Sequence, residues 1–294
     1  MADKYDVVIA GGGAAGLSAA LVLGRARRRV AVVDSGEPRN ARAAALHGFL
    51  SRDGMAPADL LAAGRREVAG YGVELIEDKV LAAEPGFTVR LAGGRTLETR
   101  QLIVTTGLRD ELPDIPGLAE RWGTDVVVCP YCHGYEVRDQ PLGVIASGPM
   151  AAMKALLVRN WSADVVLFPG PDPLGEITAD ERLAARGIEV VPGEIARVVV
   201  AGDRLTGVEV GGRFVPRSAI FVNPTFVPAD GLLTSLGCET DDEGWVRTDA
   251  AGRTSVPGVW AAGNVVDPHS QLITAAGAGS YTAAQLNNEL VLGS

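Results

Sequence analysis

The first 34 residues constrain this chain more than any other part of it. A short apolar run over 5–10 leads directly into Gly11-x-Gly13-x-x-Gly16. A helical stretch over 17–24 follows, and then a second apolar run over 30–34 that ends in Asp34. Short, continuous apolar runs of this kind read as strands buried on both faces. Strand, glycine turn, helix and strand make the unit that builds a parallel sheet. GxGxxG alone is a weak signal, but an incidental glycine-rich turn would not bring strand, helix and acid into register. Gly11 permits the tight turn, Gly13 lets the backbone approach a pyrophosphate, and Gly16 allows close helix–strand packing. The helix N-terminus offers free N–H groups and a positive dipole end to a diphosphate. Asp34 can accept hydrogen bonds from a ribose diol and would repel a 2′-phosphate. The nucleotide implied is therefore FAD or NAD rather than NADP.

A chain of 294 residues suggests about two domains and a core that needs no disulfide or metal staples. Its 36 acids against 27 Lys and Arg give a net charge of −9, which argues against a nucleic-acid partner. Aromatics are 5%, too few for base-stacking platforms, and three cysteines exclude a disulfide framework. No targeting segment is expected from MADKYDVVIAGGGAAG, and no apolar run reaches the roughly 18 residues of a spanning helix. A cytoplasmic protein with no membrane contact is the expectation. The basic cluster Arg25, Arg27, Arg28 and Arg29 reads as a solvated helix end.

Further along, the pattern predicts a helix over 58–71, a strand over 73–79, and an antiparallel pair over 87–90 and 95–99 around Gly93-Gly94. An apolar run over 101–106 ends in Gly107. The proline-rich stretch 112–117 reads as a hinge. A second strand–helix–strand unit runs over 142–168, with strands over 188–191, 196–200 and 207–210. A second proline-rich joint spans 223–231, and a strand over 258–263 precedes a helix over 274–290.

Cys129-Pro130-Tyr131-Cys132 follows an apolar strand over 125–128 and precedes His133-Gly134. Cysteines at this spacing can close a small disulfide ring at a helix start, where a thiol pKa is lowered. A zinc site would need two further ligands at matching spacing, and Cys238 is isolated, reading as a small buried residue. A merely structural cysteine pair is the blander alternative. The redox reading is preferred because a dinucleotide site sits in the same chain. An imidazole beside thiols suits proton transfer, so His133 is a candidate acid–base group. His47 and His269, the other two histidines, could line the same pocket.

GGGAAG at the N-terminus, TTG ending at Gly107, CPYCHGYE over 129–136 and GVWAAGNVVD over 258–267 follow one another in this order. Across nearly its whole length the chain resembles the low-molecular-weight thioredoxin reductases. The resemblance implies an α/β fold of two Rossmann-like three-layer domains: an FAD domain built from 1–112 and 233–294, and an inserted NAD(P)-like domain, 113–232, carrying CxxC. It also implies a homodimer. By this likeness Cys129 and Cys132 are the redox pair, with His133 beside them. Gly11, Gly13, Ala14, Ala15, Gly16 and Asp34 hold the FAD diphosphate and ribose, with Ser35 and Arg39 in the same set. Val80 meets the adenine. Asn40, Thr106 and Gly107 lie near the flavin, while Gly263, Asn264, Gln271 and Leu272 hold the ribityl chain and isoalloxazine.

Two departures from the family pattern stand out. Asn264 replaces the usual Asp, and an amide can still hydrogen-bond a ribityl hydroxyl or phosphate. The inserted domain should carry a second GxGxxA and a basic stretch for the NADPH 2′-phosphate. This chain reads Ala146-Ser147-Gly148-Pro149-Met150-Ala151 there, then Pro169-Gly170-Pro171-Asp172-Pro173, with no Arg or Lys until Arg182. Losing charged hydrogen bonds to that phosphate costs about 2 kcal/mol or more. CPYCHGYE with a degraded NADPH site resembles the dithiol oxidases of the gliotoxin and holomycin type. That likeness implies a small-molecule dithiol substrate and O2 as acceptor, with a thioredoxin-like protein as the other conceivable partner. The alternatives are an NAD(P)H-dependent thioredoxin reductase-type enzyme and a redox-sensing flavoprotein.

Overall fold

The computed structural model describes residues 3–84, 86–170 and 180–293. By its contacts the chain divides into two units. One comprises Met1–Ala41, Phe49–Arg109 and Phe226–Ser294, the other Arg42–Gly48 and Asp110–Thr225. Among the described residues no helix is long and apolar enough to cross a membrane.

The first unit is built on a seven-stranded sheet. Its order is Glu74–Glu77, Val30–Asp34, Asp3–Ala10, Thr96–Val104, Thr88–Leu91 and Val80–Glu84, with Val259–Ala261 also pairing Thr96–Val104. Asp3–Ala10 is parallel to both of its neighbours, as an apolar run buried on both faces should be. Alternate side chains leave it in opposite directions. Val7 and Ile9 join Leu17, Leu23 and Leu286 in one core layer, while Val8 and Ala10 join Val33, Leu102 and Val259 in another. Helices Ala14–Arg25 and Leu272–Leu292 pack together on the Val7/Ile9 side, so both ends of the chain complete one unit. Ile9, Leu23 and Leu286 are fully buried, each stabilising the layer by roughly 1.5–3 kcal/mol.

The second unit carries a five-stranded parallel sheet. Its order is Glu189–Val190, Val165–Phe168, Leu142–Ile145, Ala219–Val222 and Val126–Val127. Helices Met150–Val158 and Glu181–Ala185 cover one face, and an antiparallel sheet of Ile195–Ala201, Arg204–Val210 and Arg213–Pro216 covers the other. Both units are three-layered α/β structures, as expected.

Local expectations needed correction in three places. The strand expected over 73–79 is shorter, Glu74–Glu77, and a further strand that was not foreseen, Val80–Glu84, follows the point where Asp78 turns its carboxylate onto the amides of Lys79 and Gly93. Ala219–Val222, central in the second sheet, and Arg213–Pro216 were not foreseen. The proline-rich joint over 223–231 contains strand Thr225–Pro228, which pairs with Leu108–Glu111 in a two-stranded ribbon. Pro228 is tolerated at the end of such a strand because that position need not donate to a ladder. The basic cluster is an exposed helix end, within which Arg25 bonds and stacks on Tyr71, Arg28 bonds Asn287, and Arg29 stacks on Tyr5.

Candidate functional site

The glycine turn of the first unit is fixed by backbone proximity. Gly11 stands at φ +103°, and a Cβ there would lie 2.5 Å from the Thr105 carbonyl oxygen. A Cβ on Gly16 would lie 1.9 Å from the Gly11 carbonyl oxygen. Thr105 Oγ1 lies 2.9 Å from the Gly11 oxygen and 3.1 Å from that of Ala10, tying the turn to the end of strand Thr96–Val104. Gly13 differs: it has an ordinary φ of −76°, and nothing lies within 4 Å of where a Cβ would be. It is also the N-cap of Ala14–Arg25 without a side-chain cap, so the first-turn amides of Ala14, Ala15 and Gly16 are left to a ligand.

Asp34 leans over this turn. Its Oδ1 accepts from the Gly12 amide at 3.1 Å, and its Oδ2 accepts from Arg65 at 2.6 Å. The Arg65 pair was not foreseen and leaves Asp34 one carboxylate edge to share with a ribose. Thr106 Oγ1 is buried and makes no hydrogen bond among the described residues. An orphaned buried hydroxyl beside an open glycine cradle is what a bound dinucleotide would satisfy, so these residues fit FAD.

The C-terminal residues reach the same turn. A Cβ on Gly263 would lie 2.9 Å from the Ala15 Cβ, and one on Gly279 would lie 2.0 Å from the Ala15 oxygen. Asn264 holds the loop that follows it. Its Nδ2 donates to the carbonyls of Asp267 and Ser270, both at 3.0 Å, so the amide closes its own loop and only Oδ1 remains to meet a cofactor. An aspartate could not donate these bonds. Val80 is buried in the layer that holds Val33. Arg39 stacks on Phe226 at 5.1 Å, and the same ring meets His269 edge-on at 5.5 Å. Gln271 and Leu272 begin the last helix. Ser35 is exposed and Asn40 half-buried. Among the described residues no hydrogen bond joins Ser35, Asn40, Gln271 or Leu272 to the 11–16 turn. Gly107 stands at φ +77° beside Thr106, at the end of the TTG run.

The second unit holds the cysteine pair. Arg121 grips Asp125 with two hydrogen bonds of 2.8 and 2.7 Å, and Asp125 also accepts from the Leu205 amide at 2.9 Å. This clamp fixes the start of strand Val126–Val127, which delivers Cys129. Cys129 and Cys132 form a disulfide. Cys129 caps the single-turn helix Pro130–His133, its Sγ accepting from the Cys132 amide at 3.1 Å. Pro130 begins that helix, where its missing N–H costs nothing. Gly134 follows it at a place with no room for a side chain, since a Cβ would lie 2.6 Å from the Pro130 carbonyl oxygen and 2.7 Å from the Trp161 ring. Trp161 in turn takes the edge of Tyr131, with ring centroids 5.6 Å apart.

Burial holds His133 below the ordinary imidazole value, opposed by the negative charge of Glu136 and reinforced by His47. The imidazole is therefore neutral at pH 7 and able to accept a proton. His47 Nε2 lies 3.5 Å from Glu136 Oε1. Of the two histidines whose placement the sequence left open, His47 joins the cysteine pair's unit, and His269 lies in the first unit beside Phe226.

Lys154 escaped the sequence reading. From helix Met150–Val158 its ammonium donates to the Val128 carbonyl, one residue before Cys129. Burial pushes its pKa down from the ordinary 10.5 to about 8. Between those two pH values the unfolded chain binds the proton and the folded chain does not, so stability rises with pH across that window. Relative to Lys154→Met, the wild type should gain about 3 kcal/mol of unfolding free energy across it. Denaturant unfolding of both proteins at a series of pH values measures this, and parallel curves would refute it.

The nucleotide-type loop of the second unit is unlike that of the first. Pro149, which has no N–H, is the N-cap of Met150–Val158, and Met150 is 61% exposed at its first turn. The Gly148 carbonyl accepts from the Ala151 amide at 3.1 Å. Pro171, Asp172 and Pro173 lie outside the described residues. Arg182, the first basic residue after strand Val165–Phe168, is held by Asp180 through bonds of 2.9 and 2.7 Å.

Residues 5–280 match the family model of the pyridine nucleotide-disulphide oxidoreductases. The thioredoxin reductase tcpT of Claviceps purpurea is 34% identical over 279 residues, covering 88% of this chain and 86% of its own length. The thioredoxin reductase sirT of Leptosphaeria maculans is 28% identical over 312 residues, covering 96% and 93%. The crystal structure of HlmI superposes with a TM-score of 0.92 at 57% identity, covering 99% of this chain and 92% of that one. Matched from its first strand into its last helix and carrying the CxxC pair with the glycine cradle, the chain belongs to the pyridine nucleotide-disulphide oxidoreductases as an FAD-dependent enzyme of the thioredoxin reductase type.

Proposed function

We propose that the chain is a dithiol oxidase, closing a disulfide in a small-molecule dithiol and passing the electrons to O2, with H2O2 as the product. The carrying observation is the nucleotide-type loop of the second unit. Pro149 removes an amide donor where a diphosphate would need one, and Arg182 is committed to Asp180. The cysteine pair is intact beside a neutral imidazole.

His133 takes the proton of a substrate thiol. The resulting thiolate attacks Cys129 Sγ and displaces Cys132 Sγ, giving a mixed disulfide. The second substrate thiol then attacks the substrate sulfur of that mixed disulfide and releases Cys129. The Cys132 amide, 3.1 Å from Cys129 Sγ, steadies the departing charge. The substrate has lost two electrons and two protons, and the cysteine pair has become a dithiol. The chemistry that bound FAD would supply is two-electron acceptance from that dithiol and transfer of the pair to O2. Gly11, Gly13, Ala14, Ala15 and Gly16 would hold its diphosphate, Asp34 its ribose, and Thr106 with Gly107 its ring system. We take the working form to be a homodimer in a reducing cytoplasm.

The test adds dithiothreitol, NADH or NADPH to the purified flavoprotein while flavin absorbance and oxygen are followed. Dithiothreitol should bleach the flavin without oxygen and drive oxygen uptake with matching H2O2 when air is present. Rapid bleaching by micromolar NADPH would overturn the oxidase reading in favour of a thioredoxin reductase. No redox turnover with any of the three would leave a sensor.

A further inference from the structure

Residues 42–48 leave the first chain segment to pack with the second unit. Arg42 bonds the Ala119 carbonyl at 3.1 Å, and the backbone at Gly123 closes against the Arg42 side chain. This anchoring carries His47 to the carboxylate of Glu136, three residues beyond His133 and 89 positions away from His47 in sequence. The His47 side chain is 21% exposed and that of Glu136 45%, so the contact is partly shielded from water. The carboxylate that His47 meets is also the one whose charge acts on His133, which adjoins the redox pair.

We infer that His47 is a positioning residue for the proton-transfer step, meeting the Glu136 carboxylate at 3.5 Å and so setting how much of its negative charge His133 feels. The inference rests on the reading of His133 as the base. It deepens that reading by naming what tunes the base.

A carboxylate favours the imidazolium form of a neighbouring histidine, and a second imidazole on the same carboxylate draws part of that attraction to itself. Among the charged groups near His133, Glu136 and His47 act on it directly. Lys154 on helix Met150–Val158 is turned to the Val128 carbonyl. Arg138 is turned to its own loop, bonding the Tyr135 carbonyl and stacking on the Tyr135 ring. Removing His47 should therefore leave Glu136 wholly to His133 and make the base easier to protonate. Removing the charge of Glu136 should do the opposite.

The chain has only three histidines, which allows a direct measurement. In the oxidised holoprotein with labelled histidine, NMR titration follows each imidazole separately. His47→Gln keeps an N–H donor toward Glu136 but removes the titrating ring, and it should move the His133 midpoint to higher pH. Glu136→Gln should move it to lower pH. His269, in the first unit, should stay fixed in both variants and serves as the internal control. A His133 midpoint unmoved in His47→Gln, or moved to lower pH, would overturn the inference. The acid limb of dithiol-driven oxygen uptake should follow the same two shifts. If the wild type shows no such uptake while the NMR shifts appear, the oxidase reading fails and the tuning of His133 by His47 stands.

Discussion

Cys129→Ser and Cys132→Ser should each lower dithiol turnover by roughly three orders of magnitude or more while leaving FAD bound. Neither can form the internal disulfide that accepts the substrate's electrons. Flavin retention is expected because the cradle at Gly11–Gly16, Asp34 and Thr106 belongs to the first unit, and both cysteines belong to the second. The two variants should differ in what they trap. With Cys132 replaced, a remaining Cys129 thiolate can form a mixed disulfide with an activated aromatic disulfide, and no neighbouring thiol resolves it. With Cys129 replaced, trapping on Cys132 should be slower, because the hydrogen bond from the Cys132 amide favours a thiolate at Cys129 and not one at Cys132. Intact-protein mass spectrometry after timed reaction separates these outcomes. Full turnover in Cys129→Ser would remove the internal disulfide from the mechanism, and faster trapping in that variant would reverse the order of attack.

Local pattern carried the reading of both chemical centres. The cradle was legible because strand, glycines, helix and Asp34 are consecutive. The cysteine pair was legible because its ring closes within four residues. Ala219–Val222 was not. Four apolar residues have no periodicity of their own, and only their placement beside Leu142–Ile145 makes them a central strand. Asp34 was read as a ribose acceptor from its position at a strand end, but its ion pair with Arg65 depends on where helix Pro57–Ala69 packs. Asn264 was read by analogy with an acid, and the structure gives its amide a donor's task that an acid could not perform. His47 is the clearest case. Nothing at position 47 announces Glu136, because the contact exists only once 42–48 has crossed into the second unit. Sequence-local chemistry was readable, whereas partners supplied by tertiary packing were not.

Gly16 and Gly13 should answer the same substitution in opposite ways. A methyl on Gly16 would sit 1.9 Å from the Gly11 carbonyl oxygen and 2.7 Å from Thr105 Oγ1. The first contact is to backbone within the turn itself, so relief requires the strand, the turn or the helix to move. Gly16→Ala should destabilise the first unit by about 3 kcal/mol, the upper range for overpacking, and FAD should be lost with the fold of the turn. Gly13 has a φ of −76° that any residue adopts, and open space where a Cβ would stand. Gly13→Ala should therefore leave the flavin-free protein as stable as the wild type. Its methyl would nevertheless occupy the side from which a diphosphate must approach the helix amides, so flavin content and affinity should fall by about tenfold or more, equivalent to roughly 1.4 kcal/mol. Denaturant unfolding of the flavin-free proteins, paired with flavin titration, makes the comparison. A Gly13→Ala protein that is unfolded would refute the open space at this position, and one that binds FAD as tightly as the wild type would remove the diphosphate from this turn. The open space at Gly13 has a use only if a ligand fills it, which is why the substitution that costs the fold nothing is the sharper probe of the cradle.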